Sequence, residues 1–145
     1  MFCRIDTKIK EATRILKQLG YESKHISAKE FYDYMTGETP TGDVITLNDV
    51  LASEFLMIHE VAEISELKKR GIPINKQTVM SFHSKVYEAH FTATEYELNH
   101  ALNKKDHAWL KLRLNHARDW LEDKHLPEKL VSRCKSLIEK YSELS

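Results

Sequence analysis

Ionisable residues that could bind a metal ion recur along one segment of the chain, residues 75–103. His83, His90 and Glu97 follow one another at intervals of seven residues, so on an α-helix they lie almost directly above one another. A charged group inside a protein is costly unless it is paired or bound to a metal, so this alignment predicts a buried polar site. Apolar residues occupy the other positions of the same helical sector: Val79, Val86, Ala93 and Ala101.

Two further residues extend this candidate site. Glu97 and His100 form a Glu-x-x-His step, the spacing by which helical bundles bring two metal ligands onto one turn. Glu54 falls within the apolar stripe of a helix predicted over 46–70, between Leu51 and Ile58. We therefore expect Glu54 to be a second buried carboxylate.

The helix predicted over 46–70 also carries a charged face next to its apolar stripe. His59 and Glu63 have the i, i+4 spacing that suits two metal ligands on one helix. Glu60 and Glu66 are interpreted as part of an exposed face, because acidic residues early in a helix and basic residues late in it complement the helix dipole. Leu56 and Leu67 are apolar on the far side, which indicates that this helix is covered on two faces.

A third group of candidates lies between residues 106 and 124. His116 falls among large apolar residues, and Asp119 follows it by one turn, where a carboxylate could orient the imidazole or join it as a ligand. Arg113 points inward on the same helix and could pair with Glu97 or Glu54. A buried pair of this kind satisfies both charged groups without any metal ion.

These residues leave two functional hypotheses open. In the first, the chain binds a divalent metal ion (Mg, Mn, Zn or Fe) between its long helices and carries out metal-assisted hydrolysis, in which a second carboxylate takes the proton of an activated water. In the second, the chain is a non-catalytic interaction or scaffold protein, and the same groups form a structural polar network. The metal ligands expected in the first hypothesis are Glu54, His83, His90, Glu97, His100 and His116.

Three short stretches resemble sites of known helical families. The segment 58–63, IHEVAE, resembles the His-Asp core of the HD phosphohydrolases, with Glu60 in the place of the Asp and His25 as the upstream His. That resemblance implies an all-helical, metal-binding protein. The Glu-x-x-Glu step in the same segment resembles half of the magnesium site of MazG-type nucleotide pyrophosphohydrolases, but the Glu-x-x-Asp half is missing. The spacing of Arg118 and His125 resembles the Arg…His pair of the HEPN ribonucleases.

Helical periodicity runs from end to end and predicts an all-α, up-and-down bundle of about five or six helices, in a single domain over 1–145. Glycines, capping residues and prolines mark the helix ends. The clearest loop is 36–43, and residues 44–45 are too short a β-like stretch to form a sheet. The expected helices are 6–19, from Ser27 to near Gly37, 46–70, 75–103, 106–124, and from Pro127 to about Ser142.

Composition excludes several classes of protein. The 145 residues include 22 Lys+Arg and 22 Asp+Glu, and a balanced charge lacks the basic footprint of a nucleic-acid binder. Only 4 Gly and 3 Pro argue against a many-stranded β-sandwich. There is no Gly-rich phosphate loop and no Gly-x-Ser-x-Gly elbow.

Location and association are expected from simpler features. Cys3 and Cys134 lie at opposite ends of the chain and predict two free thiols in a reducing cytosol, hence a cytoplasmic location. No apolar run is long enough to cross a membrane. The apolar residues Leu56 and Leu67, off the main stripe of their helix, predict a homodimer with helix-on-helix contact.

Overall fold

A computed structural model of the chain describes residues 2–39 and 45–144. All regular structure in these two ranges is helical, so the predicted all-α class is confirmed. The expected number of five or six helices is too low, because the described residues form eight α-helices and one 3-10 turn, Glu128–Leu130. The α-helices are α1 (Phe2–Gln18), α2 (Ala28–Met35), α3 (Leu47–Leu51), α4 (Glu54–Lys69), α5 (Thr78–Ser81), α6 (His83–Asn103), α7 (His107–Leu121) and α8 (Val131–Leu144).

Several helix ends agree with the sequence signals. Gly20 and Gly71 adopt positive φ angles of 87° and 75°, the left-handed conformation in which glycine ends α1 and α4. Ser27 and Glu30 form a reciprocal capping box at the start of α2. Asp106 accepts the backbone N–H of Trp109 and begins α7. Of the loop predicted over 36–43, residues 40–43 lie outside the described residues, as does residue 44.

The extra helices arise because the two longest predicted helices are each interrupted. The hydroxyl of Ser53 accepts the backbone N–H of Leu56 at 3.2 Å, so this serine acts as an N-cap and separates α3 from α4. Phe82 has non-helical backbone angles, φ −126° and ψ 37°, and separates α5 from α6. Periodicity alone does not reveal such breaks, because the apolar pattern continues across them.

Four long helices form the part of the fold that carries the site. Helix α4 runs antiparallel to α6, α7 runs antiparallel to α6, and α8 runs parallel to α6, so α4, α6, α7 and α8 alternate in direction. Contacts between side chains show these directions: Glu54 with His100 and Arg70 with Glu88 for α4, Trp109 with Glu97 and Asp123 with Tyr87 for α7, and Arg133 with Thr92 and Tyr141 with Asn99 for α8.

Helix α6 is shared by two hydrophobic cores. Ala89 and Ala93 contribute to a core formed with α1 to α4, whereas Phe91 and Leu98 contribute to a core formed with α7 and α8. The small residues on the first side allow α4 and α6 to approach closely. This close approach brings the polar side chains of the two helices together.

Helix α4 is buried almost all round by its neighbours within the chain. Leu56 and Leu67 are 8% and 0% exposed and belong to the first core. The expectation that they form surplus apolar surface is wrong, because α1 and α6 both pack against this helix. They therefore lend no support to a homodimer. Among the described helices, none has the length and apolar character needed to cross a membrane.

Candidate metal centre

Helices α4 and α6 bring three potential metal ligands together. His59 and Glu63 lie one turn apart on α4, and His90 faces them from α6. His59 Nε2 is 3.2 Å from Glu63 Oε1 and 3.0 Å from His90 Nδ1, and that Nδ1 is 3.2 Å from the same oxygen. The three atoms, which we call the ligand triangle, are thus nearly equidistant. His59 and Glu63 are buried, and His90 is partly exposed.

The ligand triangle has the dimensions of one face of a metal coordination shell. Atoms about 2.1 Å from a common ion lie about 3.0 Å apart in octahedral geometry and about 3.4 Å apart in tetrahedral geometry. The measured separations of 3.0 to 3.2 Å fall within this interval. The three atoms therefore have the spacing that ligands of one common ion require. Two imidazole nitrogens and a carboxylate oxygen are a donor set that zinc and non-haem iron(II) centres use.

Glu97 lies behind His59 and fixes the state of its ring. Its Oε1 accepts from His59 Nδ1 at 2.9 Å and from Arg113 Nη2 at 3.0 Å. Its Oε2 accepts from the indole N–H of Trp109 at 2.7 Å and lies 2.7 Å from Arg113 Nε. Glu97 is 0% exposed, so these protein groups alone satisfy its charge.

The protonation of Glu97 determines which nitrogen of His59 can bind a metal. Burial by itself would raise the pKa of Glu97, but Arg113 and His59 outweigh burial and keep that pKa below its usual range. An ionised carboxylate only accepts hydrogen bonds, so His59 Nδ1 must carry a proton. When the ring is neutral, its Nε2 lone pair points into the ligand triangle. A buried carboxylate behind a ligating histidine is the usual arrangement in metal sites.

When no metal ion is bound, hydrogen bonds can satisfy the three atoms of the ligand triangle. A proton on His59 Nε2 can be shared between Glu63 and His90, which makes the His59 ring a cation between two carboxylates. Burial would lower the pKa of His59, but hydrogen bonds to Glu63 and Glu97 raise it to about 10. Burial would raise the pKa of Glu63, but His59 and His90 lower it. Burial dominates at His90 and lowers its pKa, which keeps that ring neutral.

Aromatic residues hold the other two ligands in place. The Tyr34 hydroxyl donates to Glu63 Oε2, which leaves Oε1 in the ligand triangle. The His90 ring makes edge-on contacts with Trp120 at 4.4 Å and with His59 at 4.7 Å between ring centroids. Both ligands are therefore oriented by packing before any ion binds.

The ligand triangle forms part of the wall of a cavity of about 390 Å³. This volume is within the usual range for small-molecule sites. Both apolar and polar side chains line the cavity. The apolar ones include Met35, Ile45, Leu56, Val79 and Val86, and the polar ones at or just after α7 include Arg113, His116, Asp119 and Asp123, with the aromatic ring of Trp120 among them.

The structure brings together several of the residues expected from the sequence. His90 lies in the ligand triangle, and Glu97 lies directly behind it. Arg113 pairs with Glu97, which is one of the two partners expected for it from the sequence. His83, His116 and Asp119 line the cavity but are not part of the triangle. The ring of His83 instead donates from Nε2 to the backbone carbonyl of His125 at 2.8 Å.

Glu54 and His100 stand apart from this group. They pair with each other at 3.0 Å, and neither is among the described residues that line the cavity. The burial expected for Glu54 is wrong, because its side chain is 45% exposed. The break at Ser53 makes Glu54 the first residue of α4, and the end of a helix is open to solvent in a way that its middle is not.

The two α4 ligands were absent from the set of ligands expected from the sequence. The i, i+4 spacing of His59 and Glu63 is visible in the sequence, but they lie beside the main apolar stripe, on the charged face where Glu60 and Glu66 are expected to be exposed. The apolar residues Leu56 and Leu67 were the signal that could have identified them. A helix covered on two faces also buries the residues between those faces.

Comparisons of the chain with protein-family models, with curated proteins and with solved structures find no significant match. Two residues that the short resemblances require lie away from the cavity. His25 is exposed, and Arg118 is exposed and donates to Asn115. We therefore infer function from the geometry of the site.

Proposed function

We propose that this protein is a metal-dependent hydrolase that binds a divalent transition-metal ion at His59, Glu63 and His90. The observation that supports this most strongly is the ligand triangle, whose three atoms are 3.0 to 3.2 Å apart in the wall of a cavity. Three protein ligands with an open fourth position are typical of catalytic metal sites. The cavity supplies space for water and substrate at that position.

The ligand types favour some metals over others. Imidazole nitrogens suit zinc and iron, whereas magnesium and manganese prefer oxygen ligands. Two of the three proposed ligands are imidazoles, so of the ions expected from the sequence we propose zinc or iron(II). Zinc is the simpler choice for hydrolysis, because it activates water without changing its oxidation state.

Glu60 is the carboxylate that we propose as general base. It lines the same cavity and follows His59 directly. In H-E-x-x-H helices, two zinc ligands lie at positions i and i+4, and the Glu after the first ligand takes a proton from water. His59, Glu60 and Glu63 have that spacing, with Glu63 as the second ligand. Water activated at the site would give its proton to Glu60 and its oxygen to the substrate.

The experiment that tests this proposal is metal analysis of protein purified without a metal-affinity tag. We expect stoichiometric zinc or iron in the wild type and a melting temperature that falls when a strong chelator is added, because an ion that binds only the folded state stabilises it. Glu63→Gln removes an anionic ligand at nearly constant shape and should lose most of the metal. Glu54→Gln is the matched control and should retain it.

A second candidate function is a non-catalytic interaction or scaffold protein with a structural polar network. The observation that favours it is the complete pairing of Glu97 by His59, Arg113 and Trp109, which needs no ion. This candidate would be supported, and the first rejected, if the wild-type protein contained no metal and its melting temperature did not change when the chelator was added.

Association and location remain predictions of this account. Light scattering tests the homodimer: a mass near 17 kDa at micromolar concentrations would reject it. The large apolar side chains that are exposed in the described chain, and so open to a partner, are Phe2, Met80, Phe82, Leu112 and Leu144. A cytoplasmic location is proposed from the two free thiols, Cys3 and Cys134.

A further inference from the structure

Arg113 connects the buried carboxylate behind the ligand triangle to a second histidine in the cavity. Its Nε and Nη2 face Glu97, and its Nη1 lies 3.2 Å from His116 Nδ1. A guanidinium is always protonated and has no acceptor, so Arg113 donates and His116 Nδ1 accepts. The proton of the neutral His116 ring must then be on Nε2.

His116 is held neutral as well as in one tautomer. Burial and the positive charge of Arg113 lower the pKa of His116, and the carboxylates of Asp119 and Glu97 oppose this only in part. Within the described residues, Nδ1 is the His116 ring nitrogen that has a protein partner. His116 and the three ligands line the same cavity, and the Nε2–H group of His116 has no hydrogen-bond acceptor among the described residues.

The charges around the cavity indicate which kind of substrate it accepts. Glu97 neutralises Arg113, so this cation is not available to an anionic ligand. Glu60, Asp119 and Asp123 line the same cavity, and Asp123 is held by the Tyr87 hydroxyl and a backbone N–H. Together with Glu63 they make four carboxylates in the lining, which outnumber the two positive charges of a divalent ion at the ligand triangle, so a phosphate monoester would meet net negative charge. An uncharged acyl compound would not be repelled in this way, and the apolar residues of the lining suit its hydrocarbon part.

We propose that His116 is a catalytic residue that donates its Nε2–H to the carbonyl oxygen of an uncharged ester or amide hydrolysed at the ligand triangle. This inference rests on the proposed hydrolase function. The oxygen of an activated water forms a bond to the carbonyl carbon, Glu60 takes the water proton, and the carbonyl oxygen gains negative charge facing His116. The bond to the alcohol or amine group then breaks, and that group leaves with the proton from Glu60. A fixed donor facing a developing oxyanion lowers the barrier without reorganisation.

The first test is the tautomer of His116 in the wild-type protein, read from long-range ¹H–¹⁵N NMR spectra. We expect the signals of a neutral ring protonated at Nε2, unchanged between pH 6.5 and 8. A ring protonated at Nδ1, or an imidazolium in this range, would overturn the proposal. This measurement needs no substrate and no metal.

The second test compares hydrolysis of 4-nitrophenyl acetate and 4-nitrophenyl phosphate by the zinc-loaded protein. We expect cleavage of the ester, and not of the phosphate, at a rate that Glu63→Gln abolishes. His116→Leu should lower kcat by about 10² to 10³ at unchanged zinc content, as removal of an oxyanion donor does. His116→Gln, whose amide N–H can replace Nε2–H, should recover much of the rate. His107→Leu, at an exposed histidine outside the cavity, is the matched control.

The two proposals fail in different ways. A wild-type protein that binds no zinc overturns the hydrolase function and this inference with it. A zinc-loaded protein overturns this inference alone if it cleaves the phosphate in preference to the ester, cleaves neither, or retains its kcat in His116→Leu.

Discussion

Of the three histidine–glutamate contacts that bridge α4 and α6, the two that do not join ligands of the triangle to each other differ mainly in their surroundings. His59 Nδ1 lies 2.9 Å from Glu97 Oε1, and His100 Nε2 lies 3.0 Å from Glu54 Oε1. In the first contact the side chains are 2% and 0% exposed; in the second, Glu54 is 45% exposed. The bond lengths are almost equal, so length does not distinguish the two contacts.

The two contacts differ in whether water can solvate the glutamate after its histidine partner is removed. Water can solvate Glu54 if His100 is removed. Glu97 is 0% exposed and out of contact with bulk water, and its partners Arg113 and His59 are themselves buried. Removal of one member of a buried group leaves another charge unpaired in a medium of low polarity. We therefore expect the buried contact to contribute far more to stability than the open one.

The largest expected effect is that of Glu97→Leu. It leaves the Arg113 guanidinium and the His59 ring buried without their carboxylate, and we expect a loss of about 3–5 kcal/mol in the free energy of unfolding. Urea denaturation measures this loss. A cost below about 1 kcal/mol, the value typical of exposed pairs, would contradict the contrast between the two contacts.

A second substitution should recover part of that loss. Arg113→Met in the Glu97→Leu background removes the unpaired guanidinium and replaces it with an apolar chain, and apolar replacements of buried ion pairs are often neutral. We expect the double variant to be more stable than Glu97→Leu alone, by about 1–3 kcal/mol. Purely additive losses in the double-mutant cycle would show that the two residues do not act as a pair.

In the metal-free protein, the pH dependence of the unfolding free energy should report the protonation of His59. Its pKa is raised from 6.5 in the unfolded chain to about 10 in the folded protein. The stabilisation from this proton is complete below the unfolded pKa and is lost as pH rises through the folded pKa. We expect the unfolding free energy to fall by at most about 1.4 kcal/mol per pH unit between pH 7 and 9.

His59→Gln is the control for that measurement. It removes the titrating group while other groups continue to titrate, so the difference between the two proteins isolates His59. Equal slopes for both chelator-treated proteins would mean that the His59 ring is neutral in the folded state.

The smallest expected effect is that of Glu54→Gln. The amide oxygen of glutamine can still accept from His100 Nε2, and the side chain stays in contact with water. We expect a change of no more than about 0.5 kcal/mol in unfolding free energy. A loss as large as that of Glu97→Leu would mean that exposure does not separate the two contacts.

Local signals in the sequence were sufficient for much of the fold. The capping box at Ser27, the cap at Asp106 and the positive-φ glycines Gly20 and Gly71 act within one or two turns, and the structure agrees with them. The break before Glu54 could not be predicted, because serine is tolerated inside a helix as well as at its N-cap. That break decides the exposure of Glu54.

Only the α6 residues of the site could be predicted from the sequence. One helix determines its own faces, so His90 and Glu97 could be placed on a buried sector of α6. Which α4 residues meet them depends on how close the two helices lie and at what register. The small residues Ala89 and Ala93 permit the close approach that puts His59 and Glu63 opposite His90. Periodicity within a single helix contains no information about that register.

The most direct test of the central claim is an anomalous diffraction map, recorded at the zinc absorption edge, from crystals of the wild-type protein grown with zinc. We predict one strong peak about 2.0–2.2 Å from His59 Nε2, Glu63 Oε1 and His90 Nδ1, with Glu97 still bonded to His59 Nδ1. An empty ligand triangle, or zinc bound only at the open pair of Glu54 and His100, would contradict the claim that the buried contact supports a metal centre.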